Sequence, residues 1–102
     1  MKVIWNKNAD RQFDQVAEYI RMSFGTKRRN EFIREVRQIT ILLEHNPELG
    51  AIEPLFSDRP ITYRSIVINS LNKLVYYIED DSIRVAAFWD TRREPTQQAK
   101  IL

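Results

Sequence analysis

The residues best suited to chemistry lie in the last third of the chain, residues 61–95. Lys73, Arg84, Arg92 and Arg93 supply fixed cations there, with Tyr77 and Phe88 interleaved among them. Guanidinium groups grip phosphate oxygens in a two-pronged fashion, and rings set between cations can stack bases. Asp90 opens the closing cluster Asp90-Thr91-Arg92-Arg93-Glu94. Ionised at neutral pH, it is an acceptor that can take a proton or lock an arginine in place. Together these groups fit phosphate chemistry or phosphate recognition. A plainer account stands beside it: charges at a strand end are usually solvated, and Arg84 can pair with Glu79 or Asp81 across a hairpin.

Other chemistries are poorly supplied. The chain has no cysteine, which removes disulfides, thiolate nucleophiles and cysteine-based zinc sites. One histidine, His45, cannot build a histidine metal cluster, and its place at a helix end suits ordinary dipole stabilisation. Two glycines, Gly25 and Gly50, cannot form a phosphate-cradling glycine-rich loop. Ser57 and Ser65 lack a nucleophile context, and Asp80-Asp81 reads as a turn. No metal site or cofactor is expected. A second basic group, Lys27, Arg28, Arg29, Arg34 and Arg37, is interleaved with Glu31, Glu35 and Glu44, so it reads as a solvated helix face. With 16 Lys+Arg against 14 Asp+Glu, bulk charge does not mark a nucleic-acid binder. No apolar run approaches the roughly 20 residues of a membrane span, and the N-terminus lacks a signal-peptide centre, so a cytoplasmic protein without membrane attachment is expected.

The elements that position these residues follow from periodicity. At 102 residues the chain reads as a single domain, 1–102. Lys2 to Trp5 predicts a first strand, and Asn8 or Asp10 a helix cap. Phe13, Val16, Ala17, Ile20 and Phe24 form one apolar helical stripe, which Gly25 ends. Thr26 is placed to cap a second helix with Phe32, Val36, Ile39 and Leu43 on its apolar face, widened by Ile33, Thr40 and Leu42. The short connection implies an antiparallel helical hairpin. Pro47, Gly50, Pro54 and Pro60 mark a loop anchored by Leu55 and Phe56.

Three β-branched and aromatic runs then predict an antiparallel meander. Strict alternation puts Ile83, Val85, Ala87 and Trp89 on the core face with Leu74, Tyr76 and Ile78. Lys73, Tyr77, Arg84, Phe88 and Asp90 should then share the face turned away from the helices, with Arg92 joining if the strand continues. The expected class is α+β: an N-terminal strand and helical hairpin packed on one face of a small, mainly antiparallel sheet.

Residues 63–95, YRSIVINSLNKLVYYIEDDSIRVAAFWDTRREP, resemble the C-terminal half of the RelE/ParE toxin superfamily, the toxins of bacterial type II toxin–antitoxin pairs. The resemblance lies in an Arg-bearing strand (Arg64), the run Lys73-Leu74-Val75-Tyr76-Tyr77, the acidic turn Glu79-Asp80-Asp81, an apolar strand and the closing basic cluster. It implies one of two activities. One branch is a metal-independent endoribonuclease that cleaves mRNA on the ribosome; the other poisons DNA gyrase without catalysis. Both are neutralised by a cognate antitoxin, whose segment is expected to cover the aromatic outer face of the sheet or a strand edge. The first expectation is ribosome-dependent mRNA cleavage. Lys73, Arg92 and Arg93 would neutralise phosphorane charge, Asp90 or Tyr77 would move the proton, and Arg64, Arg84 and Phe88 would bind nucleic acid or target. Two departures from the ribonuclease pattern stand against it: Thr96-Gln97-Gln98 replaces a terminal tyrosine, and Asp90 stands where some members carry histidine. A gyrase poison and a non-toxic binding module of the same fold are the alternatives.

Overall fold

The two apolar stripes do form helices, α1 (Lys7–Phe24) and α2 (Thr26–His45), separated by Gly25 alone. Gly25 has φ 94°, a region that side chains resist. Its N–H closes α1 on the Arg21 carbonyl at 2.9 Å, and its own carbonyl receives the Arg29 N–H at 3.2 Å to open α2. The expected caps are therefore corrected. Asn6 occupies the cap position of α1 and Gly25 that of α2, neither with a side-chain cap bond. Strand β1 (Lys2–Trp5) runs straight into α1, with the Asn6 N–H donated to Val85 O at 2.9 Å.

The computed structural model describes residues 1–91, so the expectations for Arg92, Arg93 and positions 96–98 lie outside the described residues. After α2 come β2 (Ala51–Ile52), a single 3-10 turn (Pro54–Phe56), β3 (Arg64–Ile68), β4 (Asn72–Glu79) and β5 (Ser82–Asp90). The sheet order is β1-β5-β4-β3-β2, with β1 parallel to β5 and the other neighbours antiparallel. The helices cover one face, giving the α+β arrangement expected. β2 is an addition, since its residues read as loop.

Both meander turns use residues that tolerate the left-handed region. Asn69 and Ser70, then Asp80 and Asp81, have φ between 50° and 60°, as tight hairpins demand. The helix-side core gathers Ala9, Ala17, Phe32, Val36 and Leu43 against Leu74, Tyr76, Ile83, Val85 and Phe88. Two predicted stripe members stay out of it: Phe24 and Leu42 are largely exposed.

One irregularity reorganises the sheet faces. Val75 pairs with Ala87 but Tyr76 pairs with Val85, leaving Ala86 as an extra residue in β5. A bulge of this kind reverses the alternation beyond it. Ile83 and Val85 face the helices as expected, but Phe88 joins them there, while Ala87 and Trp89 turn to the outer face. The bulge frees the Phe88 N–H, which Gln12 Oε1 from α1 accepts at 2.9 Å.

Candidate functional site

The outer face divides into a roofed half and an open half. Phe56, from the 3-10 turn, closes over Val75, Ala87 and Trp89, with Leu55 and Tyr63 at its border. Phe56 meets Trp89 with ring centroids 5.8 Å apart and Tyr63 at 5.3 Å, and the Arg59 guanidinium lies 5.4 Å from its ring centre. Phe56 thus anchors the loop as its sequence suggested, but the face it covers was expected to be open.

Lys73 lies at the edge of this roof. Its Nζ donates to Glu53 Oε1 at 3.0 Å, and Ser65 Oγ donates to Glu53 Oε2 at 2.6 Å. Glu53 is 4% exposed and the Lys73 side chain 17% exposed, so the pair is largely withdrawn from water. An ammonium held this way has its charge compensated inside the fold. Glu53 was not expected as a partner, because it sits in a loop 20 residues upstream with no local pattern to mark it.

The open half holds Tyr77 and Arg84, which are cross-strand partners. Tyr63 and Tyr77 have ring centroids 5.5 Å apart. Val3 and Trp5 pack on the helix-side core, so alternation turns Ile4, the β1 partner of Arg84, outward beside it. Arg84 makes no ion pair or hydrogen bond among the described residues, neither with Glu79 nor with Asp81, and its Nε is buried without a partner.

The remaining predicted site residues lie elsewhere. Phe88 is fully buried against Trp5, Phe13 and Phe32, with centroid distances of 5.5–6.1 Å. Asp90 falls on the helix side with Phe88 and lines a groove there. Their expected place on the outer face is corrected by the bulge. Arg64 also lies on the helix side, where its Nη1 donates to Gly50 O at 2.8 Å. The Gly50 N–H donates to the Tyr76 hydroxyl at 2.9 Å, and that hydroxyl donates to Pro47 O at 2.7 Å. Burial holds the Tyr76 hydroxyl above its ordinary pKa, with the Gly50 bond and the Arg64 charge pulling the other way. Of the predicted set, the structure therefore brings Lys73, Tyr77 and Arg84 to one face and separates Arg64, Phe88 and Asp90 from them.

The groove beside Asp90 went unrecognised in the sequence. It has a volume of about 610 Å³ between α1, the start of α2 and the Leu71 turn, with Val16, Tyr19, Ile20, Phe24, Phe32 and Leu71 among its apolar lining. Tyr19 and Phe24 are 57% and 64% exposed, so this apolar surface is not core. An available signal was the length of the α1 stripe, which continues to Phe24, past the residues that meet the sheet. Beside the groove, α2 begins with Lys27, Arg28 and Arg29 and has no acidic residue in its first turn. Three cations there add to the positive end of the helix dipole. Among the described residues, only Arg28 of the α2 basic group pairs with a carboxylate, Glu31 at 3.3 Å.

Comparison with known proteins places this architecture. The family model described as ParE toxin of the type II toxin–antitoxin system, parDE, matches residues 3–95. A chain of the chromosomal ParDE toxin–antitoxin system from P. aeruginosa superposes with a TM-score of 0.71 at 14% identity, over 88% of this chain and 95% of that one. The YoeB dimer from Staphylococcus aureus gives 0.56 at 20% identity, over 85% of this chain and 92% of that one. Both are likenesses of fold. No curated protein sequence matches.

Proposed function

The chain belongs to the ParE toxin family of type II toxin–antitoxin systems, and from that membership we propose that it arrests growth by binding DNA gyrase, without cutting RNA. The observation that carries this reading is the state of Lys73. In-line phosphoryl transfer needs a cation free to meet developing charge and a proton acceptor on the same side. Lys73 is committed to Glu53 and Asp90 lies on the opposite face of the sheet, so of the expected catalytic groups among the described residues Tyr77 alone stands open on the outer face, without the lysine beside it free to meet the charge. A toxin that works by occupying a protein surface needs neither group.

The family implies a cognate antitoxin. The groove beside α2 is the surface we assign to it: an amphipathic antitoxin segment with an apolar face and acidic flanks would fill the pocket and meet Lys27, Arg28 and Arg29. The outer face, expected earlier, is less suited, because Phe88 lies on the helix side and Phe56 roofs Val75, Ala87 and Trp89, which leaves Tyr63 and Tyr77 as the aromatics at its open half.

Two assays on the purified protein and one in cells separate the readings. Gyrase supercoiling should be inhibited, and induction in cells should raise double-strand breaks and an SOS response. A translating cell-free extract should yield no new mRNA 5′ ends. Ribosome-dependent new ends with unimpaired gyrase would reverse the assignment and return Lys73, Tyr77 and Asp90 to a catalytic role.

A further inference from the structure

Arg84 is the one predicted site residue whose surroundings pose an unanswered question. It stands in β5, the strand between β1 and β4, with Ile4 on one side and Tyr77 on the other. Its neighbourhood is partly buried on both flanks. A cation half withdrawn from water normally finds a carboxylate, and two were within reach by sequence, Glu79 and Asp81. Neither is used, and Nε is sealed with no acceptor. An unmade bond at a buried donor costs stability, and Trp89 Nε1 under the Phe56 roof carries the same cost; Arg84 differs in that it is a cation at the open half of the face with no carboxylate paired with it among the described residues.

We propose that Arg84 is the receiving centre for a carboxylate of the protein target, on the open half of the outer face formed with Ile4, Tyr63 and Tyr77. This rests on the toxin reading and names the chemistry of the surface that meets the target. Turning its Nε–Nη2 edge outward lets the guanidinium form two parallel bonds to a carboxylate and relieves the unmade one. Tyr63, Tyr77 and Ile4 supply the apolar surround that excludes water from such a contact, and arginine and tyrosine are frequent anchors of protein interfaces. A nucleic-acid phosphate fits less well. A backbone needs several cations along a track, and here Lys73 is compensated by Glu53 while Glu79 projects on the same face.

The test uses the full chain, with Arg84→Met and Arg84→Lys compared with wild type. Growth arrest on induction and binding to purified gyrase should both weaken by about thirtyfold or more in each variant. Lysine fails because it keeps the charge and loses the two-pronged geometry. Co-purification with the cognate antitoxin should be unchanged, and the melting temperature of Arg84→Met should equal or exceed that of wild type. Arg84→Met that arrests growth as wild type does would overturn the proposal. So would a fall of more than about 5 °C in its melting temperature, since Arg84 would then be held by bonds within the fold. Binding of a labelled single-stranded RNA or DNA 20-mer that Arg84→Met abolishes would replace carboxylate by phosphate. Wild-type protein that arrests growth without binding gyrase would remove gyrase as the target and leave Arg84 judged by growth alone. A wild type without effect on growth would remove both.

Discussion

Replacing Lys73 by methionine separates a structural lysine from a catalytic one. Lys73→Met leaves the Glu53 carboxylate buried at 4% exposure with the Ser65 hydroxyl as its one remaining side-chain donor among the described residues. Breaking a buried pair from one side costs about 3–5 kcal/mol. Lys73 keeps some access to water, so the lower end applies, about 3 kcal/mol, or a drop of about 15 °C in melting temperature at about 5 °C per kcal/mol. Glu53→Gln alone strands the lysine instead and should cost about 2 kcal/mol. The double variant carries no buried charge and should lie within about 1 kcal/mol of wild type, so the cycle returns a coupling of about 4 kcal/mol. Urea unfolding read by the fluorescence of buried Trp89 gives the stabilities, and induced growth arrest gives the function. The double variant should arrest growth as wild type does. If Lys73→Met keeps the wild-type urea midpoint but loses growth arrest, Lys73 acts on the target and the reasoning from Glu53 is wrong.

Three further outcomes follow from the same structure. Gly50→Ala should destabilise by about 2–3 kcal/mol in urea unfolding, because the added Cβ would lie 2.8 Å from the Ser65 carbonyl oxygen and 2.9 Å from Tyr76 Cε1, and the backbone oxygen cannot step aside. Tyr76→Phe should cost about 2 kcal/mol by orphaning the Gly50 N–H and the Pro47 carbonyl. The folded pKa of Tyr76 is raised, so the unfolded chain ionises first, at about pH 10. Its contribution to stability is full below that pH and is lost as pH rises through the folded value. Urea midpoints from about pH 8 to about pH 11 should fall less in the phenylalanine variant than in wild type. Tyr19→Asp, on the exposed wall of the groove, should leave the melting temperature within about 3 °C of wild type yet weaken antitoxin binding about thirtyfold in calorimetry, by placing a charge on the apolar wall. Unchanged affinity would move the antitoxin to another surface.

Local rules carried much of the architecture. Spacing in Phe13, Val16, Ala17 and Ile20 marked the face α1 buries, and Gly25 marked the break between the helices, because both depend on neighbours within a few residues. Asn69, Ser70, Asp80 and Asp81 marked the hairpins for the same reason, as short polar side chains tolerate positive φ. Phe56 was legible as an anchor, since a large ring in a proline-punctuated loop is more often buried than exposed, and here it is 1% exposed.

The candidate site was less legible, because its contacts join distant parts of the chain. The sequence by itself determined the helical hairpin, the meander and the supply of cations and rings in the last third. Tertiary structure decided which face each of those side chains took. Alternation holds only while paired strands stay in step, and whether a strand takes up an extra residue is settled by what packs on its two faces. Ala86 is that residue: it sends Phe88 into the aromatic core between α1 and α2 and brings Trp89 under Phe56. The charge of Lys73 was likewise fixed by the amino-acid code, but its freedom was not, because the loop that delivers Glu53 finds Lys73 only once the sheet has formed.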